Sequence, residues 1–383
     1  MVFKHLKVIE LASVLAGPSV GQFFAELGAE VIKIENPKTR GDVTRSWKLS
    51  TETEESDTSA YFTAVNWGKK SVCLDITIPS QLGQLYELIK TTDIVIASYK
   101  PGDAEILKVD YITLSAINPK LIYGHITGYG SHSTRLGYDA IIQAESGFMH
   151  LNGEKDGNPV KMPVALIDVL AGHQLKEAIL LAIINKMSTG KGAYLEVSLF
   201  DTAVASLANQ ASNYLVAGIN PKRTGSEHPN IVPYGTVFKT KDAFEIVLAV
   251  GNEKQFSNLC KVLECAHLSQ DEKFKTNASR VINRAALNTF LARQIKTFNQ
   301  SGLLSQLEQH QVPAGAMNSM KEVFELPQTK PLLFHANGIR GLKTFIAKGI
   351  ETETSLTPPP HLDADTNKVV GLYSNPKNTK SNR

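Results

Sequence analysis

The sequence predicts an α/β protein with a large doubly wound parallel sheet and a smaller α+β domain. Short apolar runs alternate with amphipathic helical runs through the amino-terminal half of the chain, which is typical of parallel sheets. The pattern then changes at a polar, Pro/Gly-rich stretch, 218–233, which predicts a linker. Two β runs within 234–250 read as an antiparallel pair. We therefore expect 1–217 to begin the large domain and 234–328 to form the small one.

The strands expected in the large domain are short and separated by helical patterns. Strands are predicted at 6–11, 31–34, 72–75, 93–97, 121–126 and 194–199, and helices at 16–27, 79–91 and 110–117. The first strand–helix–strand unit lacks the GxGxxG motif of dinucleotide sites, since only Gly17, Gly21 and Gly28 occur there. Its first loop is therefore expected to face another kind of ligand. The polar stretch 36–60 predicts a mobile loop.

The remaining segments complete this division of the chain. Helices are predicted in the small domain at 252–264, 283–298 and 301–309. Residues 329–373 have no apolar core of their own, so we expect them to return to the large domain. The polar end, 374–383, predicts a disordered tail.

Composition excludes several classes of protein. The chain has 383 residues, 42% of them hydrophobic and 20% charged, which is ordinary for a soluble globular protein of two domains. A net charge of +3 without a long Lys/Arg block does not predict nucleic acid as a partner. Three scattered cysteines predict neither disulfides nor a metal site. Neither a signal peptide nor an 18-residue apolar run is present, so we expect a cytoplasmic protein that does not enter a membrane.

One acid stands at a structural boundary in the segment 163–201. An apolar run precedes Asp168, helical periodicity follows it, and glycines at Gly190 and Gly192 end the periodic stretch. A helix is therefore predicted to begin at or just after Asp168. The ordinary interpretation makes Asp168 an N-cap. The alternative is a carboxylate nucleophile, held in its charged form at a helix N-terminus.

The order of several motifs resembles the family III coenzyme A transferases, which include formyl-CoA transferase, carnitine CoA-transferase and α-methylacyl-CoA racemase. The resemblance covers nearly the whole chain. The matching motifs are VIELASVLAGPSVGQFFAELGAEVIKIE (8–35), GDVTRSW (41–47), YFTAVNWGKKSVCLDI (61–76), GYDAIIQAESGFM (137–149), VPYGTVFKTKDAFEIVLAVGNEKQF (232–256), VPAGAMNSMKEVFELPQ (312–328) and PPPHLDADT (358–366).

The resemblance implies a reaction and an assembly. Asp168 matches the family's catalytic aspartate, which attacks an acyl-CoA thioester to give an aspartyl-acyl anhydride and then an aspartyl-CoA thioester. Coenzyme A would be carried as a substrate, with no metal or other cofactor, and a small carboxylic acid would accept it. The family's large domain combines both ends of the chain. Two subunits interlock as a homodimer, with each active site between one large domain and the partner's small domain.

Tyr138 distinguishes branches of the family. Racemases carry His in the motif that reads Gly137-Tyr138-Asp139 here, and that His moves an α-proton. A phenol, with a reference pKa of about 10, is a poor base at neutral pH. The sequence therefore favours a CoA-transferase. Two alternatives remain: an acyl-CoA racemase or epimerase, and a catalytically inactive CoA-binding dimer.

The resemblance also suggests the binding residues. Ser98 to Gly102 match the family's NFxPG loop, while Ile106 replaces an arginine for which Lys108 is a possible substitute. Arg45 is a candidate for binding a carboxylate, although a structural ion pair would explain it equally well. The expected substrate-pocket residues are Leu15, Ala16, Gly17, Arg45, Tyr138 and His228. The expected CoA-binding residues are Lys69, Lys70, Ser98, Tyr99, Lys100, Pro101, Gly102 and Lys108.

Some positions depart from the family. Leu15 stands where formyl-CoA transferase has a glutamine, and the segment 225–229 replaces its glycine-rich lid. Both changes predict an acid other than oxalate and leave a lid in doubt. Asp363 replaces a motif glycine near the carboxyl end, without a functional interpretation.

Overall fold

A parallel sheet of six strands forms the centre of the first half of the chain. The computed structural model describes residues 1–353 and 355–374. The strands are β1 (Lys7–Leu11), β2 (Glu30–Glu35), β3 (Lys69–Cys73), β4 (Ile94–Ala97), β5 (Ile122–Thr127) and β6 (Ala193–Ser198). They lie in the order β3-β2-β1-β4-β5-β6, and every neighbouring pair is parallel. This is the doubly wound, Rossmann-like order, so the predicted α/β fold is confirmed.

Helices cover both faces of this sheet. The described α-helices before residue 218 and after residue 330 are α1 (Ala16–Glu26), α2 (Ala60–Thr63), α3 (Pro79–Ile89), α4 (Asp103–Ile106), α5 (Tyr111–Ile117), α6 (Asp139–Glu145), α7 (Phe148–Leu151), α8 (Leu166–Thr189), α9 (Leu199–Ala205), α10 (Ala208–Leu215) and α16 (Thr366–Ser374). Alternate strand residues face opposite sides, so one core joins the sheet to α1 and α8 and the other joins it to α3, α5 and α16.

The chain divides into two compact units. The first holds Met1–Phe148, Lys161–Ser212 and the chain from Pro331 on, and the second holds Met149–Val160 and Asn213–Lys330. The predicted linker, 218–233, therefore lies inside the second unit. That unit also takes Met149–Val160, which no sequence pattern indicates. Of the predicted disordered tail, 375–383 lie outside the described residues.

The carboxy-terminal segment completes the first unit. A hairpin of β10 (Leu333–Ala336) and β11 (Ile339–Leu342) packs on the buried Trp67, whose ring stacks on Phe334. Farther on, Asp365 exchanges two hydrogen bonds with the backbone of Ser71 in β3, each 3.0 Å long. Because β3 is an edge strand, these bonds satisfy backbone groups that would otherwise be open.

The polar stretch 36–60 has a defined fold, contrary to the expected mobile loop. It forms two 3₁₀-helices, Pro37–Thr39 and Val43–Ser46. Beyond them the Lys48 ammonium donates to three carbonyl oxygens, those of Thr53, Glu54 and Ser56, at 2.5 to 2.8 Å. The chain thus closes on itself around one lysine, which a polar composition alone does not show.

The second unit has its own sheet and core. Its antiparallel strands are β7 (Tyr234–Lys239), β8 (Glu245–Ala249) and β9 (Ala314–Ala316). Its helices are α11 (Glu253–Val262), α12 (Asn277–Ile282), α13 (Arg284–Ile295), α14 (Gln300–Gln309) and α15 (Met320–Glu325), with 3₁₀-helices at Ala266–Gln270 and Pro327–Leu332. The β pair and three of the helices agree with the sequence pattern. The short β9 and α12 do not appear in it.

Candidate active site

The strand order places a crevice where β1 and β4 lie side by side. At this point the chain leaves neighbouring strands in opposite directions, and ligands of doubly wound sheets bind beyond the carboxyl ends there. A cavity of about 180 Å³ lies at this edge between Leu11, Lys33, Leu74, Tyr99 and Leu107. A larger one of about 510 Å³ adjoins it along the folded 36–60 stretch. Ser13, Thr39, Gly41 and Asp42 line both cavities.

The helix that carries Asp168 begins earlier than expected. Helix α8 starts at Leu166, its N-cap residue is Ala165, and the Ala165 side chain makes no capping bond. The cap comes instead from Asp139 in α6, whose carboxylate accepts the Ile167 N–H at 2.8 Å and the Gln143 amide at 2.6 Å. The N-cap interpretation of Asp168 is therefore wrong, because the Asp139 carboxylate accepts the backbone N–H at the start of α8.

Asp168 is a buried carboxylate without a partner. Its side chain lies in the first turn of α8, and the residue is 8% exposed. Within residues 1–353 and 355–374, neither a hydrogen bond nor an ion pair reaches its oxygens. Burial, followed by the nearby charge of Asp139, raises the pKa of Asp168 to about 7. Perturbed, unpaired acids of this kind are typical of catalytic sites.

Two aromatic side chains, Tyr61 and Trp47, pack together near Asp168. Burial raises the pKa of Tyr61, and the charge of Asp168 raises it further, so the phenol lies within electrostatic reach of that carboxylate. Trp47 packs edge-on against the Tyr61 ring at 5.0 Å between centroids. Neither residue was predicted for the site, although both lie in motifs that carry the family resemblance.

The start of α1 packs against the same face of α8. A Cβ on Gly172 would lie 2.4 Å from the Ser19 hydroxyl and 3.2 Å from the Ala16 carbonyl, so only glycine allows this approach. Asp168 is one turn before Gly172 and shares its face. The N–H groups of Ala16 and Gly17, at the first two positions of α1, have no acceptor in the described part of the chain. The predicted pocket residues Ala16 and Gly17 therefore have free donors in the turn of α1 that packs against α8.

Two of the predicted ligand residues are instead buried in ion pairs. Arg45 makes a two-pronged contact with Glu35, at 2.6 and 2.8 Å, and also donates to two carbonyl oxygens. Lys69 bonds Glu10, the Pro18 carbonyl and the Asn66 amide oxygen at 2.8 to 2.9 Å. The Lys69 ammonium and the Arg45 guanidinium have their donors occupied inside the protein, so we omit both from the proposed substrate contacts.

Lys70 lies at the edge of the sheet that is farther from the crevice. It pairs with Glu30 at 2.5 Å, at the amino end of β2 and β3, opposite the crevice. Strand β3 was predicted to begin at 72, but it begins at Lys69, so the two lysine side chains lie on opposite faces of the sheet. Lys69 bonds Glu10 and the Pro18 carbonyl inside the protein, and Lys70 lies beside Glu30.

The loop after β4 does reach the crevice. Ser98 accepts the Ser13 N–H at 3.2 Å, and Tyr99 lines the smaller cavity, where burial raises its pKa to about 12. Lys100, Pro101, Gly102 and Lys108 follow at the surface around α4. Gly102 precedes that helix with φ +92°, a conformation that favours glycine.

Two further predicted pocket residues, Tyr138 and His228, belong to different units. Tyr138 is 60% exposed and precedes α6. His228 belongs to the second unit, where its ring lies edge-on to Tyr234 and its Nδ1 accepts the Asn230 N–H at 3.1 Å. Arg284 donates to the carbonyl oxygens of His228 and Pro229 and pairs with Glu227, so the 225–229 segment is tied to α13.

The described residues contain no group of three or more His, Cys, Asp and Glu side chains that could hold a metal ion. Of the helices that the structure describes, none has both the length and the apolar character needed to cross a membrane.

Comparison with known proteins identifies the family of the chain. Residues 3–366 match the model of CoA-transferase family III. Succinate–glutarate CoA-transferase of Agrobacterium fabrum is 40% identical over 341 residues, covering 88% of this chain and 83% of that protein. The human succinyl-CoA:glutarate CoA-transferase is 39% identical over 329 residues, covering 84% and 73% of the two chains.

A solved structure shows the same fold. The crystal structure of a CaiB/BaiF family protein from Brucella suis superimposes with a TM-score of 0.85 at 38% identity, covering 96% of this chain and 98% of that one. The chain therefore belongs to CoA-transferase family III and is an enzyme of that family.

Proposed function

We propose that Asp168 is the nucleophile that carries coenzyme A between carboxylic acids in this enzyme. The observation that supports this most is a buried carboxylate without a partner, on a helix that packs against the start of α1. A structural carboxylate of this burial would be paired, because an unpaired buried charge is costly.

The proposed reaction begins with attack by the ionised Asp168 on the thioester carbonyl of an acyl-CoA. A carbon–oxygen bond forms, the carbon–sulfur bond breaks, and coenzyme A leaves as a thiolate, giving an aspartyl-acyl anhydride. The thiolate then attacks the aspartyl carbonyl, releases the first acid and leaves an aspartyl-CoA thioester. Attack by the second carboxylate and return of the thiolate complete the transfer and restore Asp168.

Two features of the site suit these steps. The N–H groups of Ala16 and Gly17, in the first turn of α1, are the donors that we propose for an oxygen that gains negative charge on the acyl or aspartyl carbonyl. Burial also reduces the access of water to Asp168, which would slow hydrolysis of an anhydride. With a pKa of about 7, roughly half of the carboxyl groups are ionised at neutral pH, so the nucleophile is available.

We propose small dicarboxylic acids as the exchanged substrates. Two relatives that match most of this chain are named for succinate or succinyl-CoA and for glutarate. The substitution of Leu15 for the glutamine of formyl-CoA transferase also points away from oxalate. Tyr138 offers no strong base for the racemase alternative.

A homodimer is part of the proposal. In the second half of helix α8, the apolar side chains of Leu181, Ile184 and Met187 are 63–84% exposed. Neighbouring apolar side chains exposed in this way are typical of protein–protein contacts, so we infer that a second copy covers this surface. The interlocked arrangement is what the family resemblance implies.

The deciding experiment is mass spectrometry of the peptide that carries Asp168. The enzyme is incubated with succinyl-CoA, glutaryl-CoA or acetyl-CoA and quenched with hydroxylamine, which converts an activated carboxyl to a hydroxamate. We expect a hydroxamate at Asp168 with the dicarboxylic thioesters and none in Asp168→Asn. An unmodified Asp168 during active transfer would refute the covalent route. Exchange of α-protons with deuterated water in the absence of an acceptor acid would support the racemase alternative.

A further inference from the structure

The segment between β1 and α1 contains an unfavourable backbone conformation. Val14 has φ +74°, in the left-handed region. For a β-branched residue this conformation is a genuine outlier, and such outliers persist only where the surroundings impose them. The backbone just after the carboxyl end of β1, where the crevice lies, is therefore strained at Val14 and is held in this conformation by its surroundings.

Three contacts hold this segment. The Lys33 ammonium donates to the Ala12 carbonyl at 2.7 Å, and the Asp42 carboxylate accepts the Val14 N–H at 3.3 Å. Between them, the Ser13 N–H donates to the Ser98 hydroxyl at 3.2 Å. Three consecutive residues are thus fixed by groups from β2, from the loop after β2 and from the loop after β4.

Lys33 and Asp42 themselves form a buried pair. Their charged groups are 2.9 Å apart, and each side chain is at most 1% exposed. Lys33 also pairs with Glu10 at 2.9 Å, while Asp42 accepts two further bonds from Thr44. Burial opposes the charge of Asp42, yet Lys33 and these bonds keep its pKa below the ordinary value. The pair is therefore charged and rigid at neutral pH.

The held segment leads directly into the first turn of α1. Leu15 is the N-cap residue, it makes no side-chain capping bond, and Ala16 and Gly17 follow with free N–H groups. Because this turn packs on the face of α8 that carries Asp168, a small shift of Val14 would move both donors relative to that carboxylate. Misplacement by about 1 Å can cost about 100-fold in rate.

We propose that the Lys33–Asp42 pair is a clamp that holds Val14 in its strained conformation and so positions the first turn of α1 for the reaction at Asp168. Asp42 is then a positioning residue, since it acts through Val14 and not on the substrate's reacting atoms. This inference rests on the proposed role of Asp168.

The experiment combines Asp42→Asn with Val14→Gly. Asparagine keeps the size of the side chain but removes the charge that Lys33 pairs with, so we expect kcat to fall about 10- to 100-fold, more than KM changes. Glycine adopts positive φ without steric cost, so adding Val14→Gly should recover at least about threefold of that loss. Val14→Gly alone should stay within about threefold of wild-type kcat. Denaturant unfolding of each variant, with kcat expressed per folded enzyme, separates this rescue from a change in stability, because glycine at position 14 also relieves the backbone strain.

Asp110→Asn is the matched control. Asp110 also caps a short helix and bonds a threonine, Thr113, but it lies outside the proposed site, so its kcat should not change. If Asp42→Asn does not fold, Ser98→Ala removes the bond to Ser13 without touching a charge and should lower kcat about threefold or more. The clamp proposal is refuted if folded Asp42→Asn has the wild-type kcat. If Asp42→Asn does not fold, a wild-type kcat in Ser98→Ala refutes it instead. The proposal is also refuted if the double variant Asp42→Asn/Val14→Gly is no faster than Asp42→Asn alone.

Failure of the clamp is distinguishable from failure of the proposed function. In the first case Asp42→Asn transfers coenzyme A at the wild-type rate and Asp168 still gives the hydroxamate. In the second, the wild-type enzyme transfers coenzyme A without modification of Asp168, which removes the reaction that the clamp serves and overturns both proposals.

Discussion

Three buried carboxylates in the first unit differ in the direction of their pKa shift: the pKa is lowered for Glu35 and Asp42 and raised for Asp168. Glu35 and Asp42, at and after the end of β2, are each 3% exposed, and Asp168 in α8 is 8% exposed. Burial opposes the charge in all three. For Glu35 the Arg45 fork and Lys33 outweigh burial and lower its pKa, whereas Asp168 has no such partner and its pKa rises to about 7.

The difference shows that partners, and not burial, set the direction of the pKa shift in these three acids. Glu35 and Asp42 have their oxygens occupied by Arg45, Lys33, Ser71 and Thr44, so they hold loops in place. The oxygens of Asp168 have no such partner among the described residues, as the proposed nucleophile requires. The same comparison explains why Arg45, which looks suited to a substrate carboxylate, already binds a carboxylate of the protein.

The largest effect is expected at the unpaired acid. Asp168→Asn should lower the transfer rate at least about 1,000-fold, because the amide cannot form the anhydride. Asp201→Asn is a matched control, since Asp201 also lies in the first turn of a helix but is exposed. Steady-state transfer of coenzyme A from succinyl-CoA to glutarate measures both. Activity of Asp168→Asn above about one tenth of wild type would show that the two kinds of buried acid do not differ in function.

The same substitution should increase stability at alkaline pH. A raised pKa means that the folded protein binds the Asp168 proton more tightly than the unfolded chain does. The resulting stability is fully present below about pH 4 and is lost as pH rises through about 7. Asp168→Asn should therefore be more stable than wild type at pH 8, by roughly 1 to 4 kcal/mol, and nearly equal to it near pH 4. Urea unfolding at the two pH values measures the difference, and equal stability at pH 8 would contradict the raised pKa.

A paired acid should respond in the opposite way. Arg45→Lys loses the fork to Glu35, so we expect the free energy of unfolding at pH 7 to fall by about 2 to 4 kcal/mol, with the KM of the acceptor acid unchanged. Since the pKa of Glu35 is lowered, this stabilisation is present above about pH 4.5 and is lost as pH falls through the lowered pKa. The destabilisation should therefore shrink in acid.

Arg135→Lys is the control for that experiment, because Arg135 pairs with Glu145 at the surface and should matter far less. Denaturant unfolding and acceptor kinetics distinguish the two roles of Arg45. A rise in KM confined to the acceptor acid, with stability unchanged, would restore Arg45 as a substrate residue.

Local patterns in the sequence predict the sheet but not these contacts. Apolar runs such as Ile94–Ala97 reveal buried strands, and the motif order identifies Asp168 as the candidate nucleophile. The contacts of Val14 with Asp42 and of Asp139 with Ile167 join residues 28 positions apart. No periodicity records such pairs.

The misassigned lysines show a related limit. Lys69 and Lys70 were both predicted to bind coenzyme A, but the start of β3 at Lys69 places one in a buried network and the other beside Glu30. A shift of three residues in a predicted strand boundary was enough to change both roles. The sequence gives the charge of a lysine side chain. Whether its ammonium is free to bind a ligand depends on the acceptors that the fold places around it.

The smallest expected effect tests how Asp139 acts on Asp168. The rate of Asp168 labelling should rise with pH, with a midpoint near 7, and level off above it, because only the ionised carboxylate attacks. Burial is the larger cause of the raised pKa, and the Asp139 charge is the smaller one. Asp139→Asn removes that charge but keeps an oxygen that can accept the Ile167 N–H, so the helix cap remains.

We therefore expect Asp139→Asn to lower the midpoint by less than about one pH unit while the plateau rate stays close to wild type. Glu145→Gln, which removes an exposed carboxylate from the same helix, should leave the midpoint where it is. An unchanged midpoint in Asp139→Asn would mean that burial alone sets the pKa of Asp168. A lost plateau would mean that Asp139 matters mainly as the cap that orients the first turn of α8. Either result would show whether the two carboxylates at this helix start interact through charge or through backbone geometry.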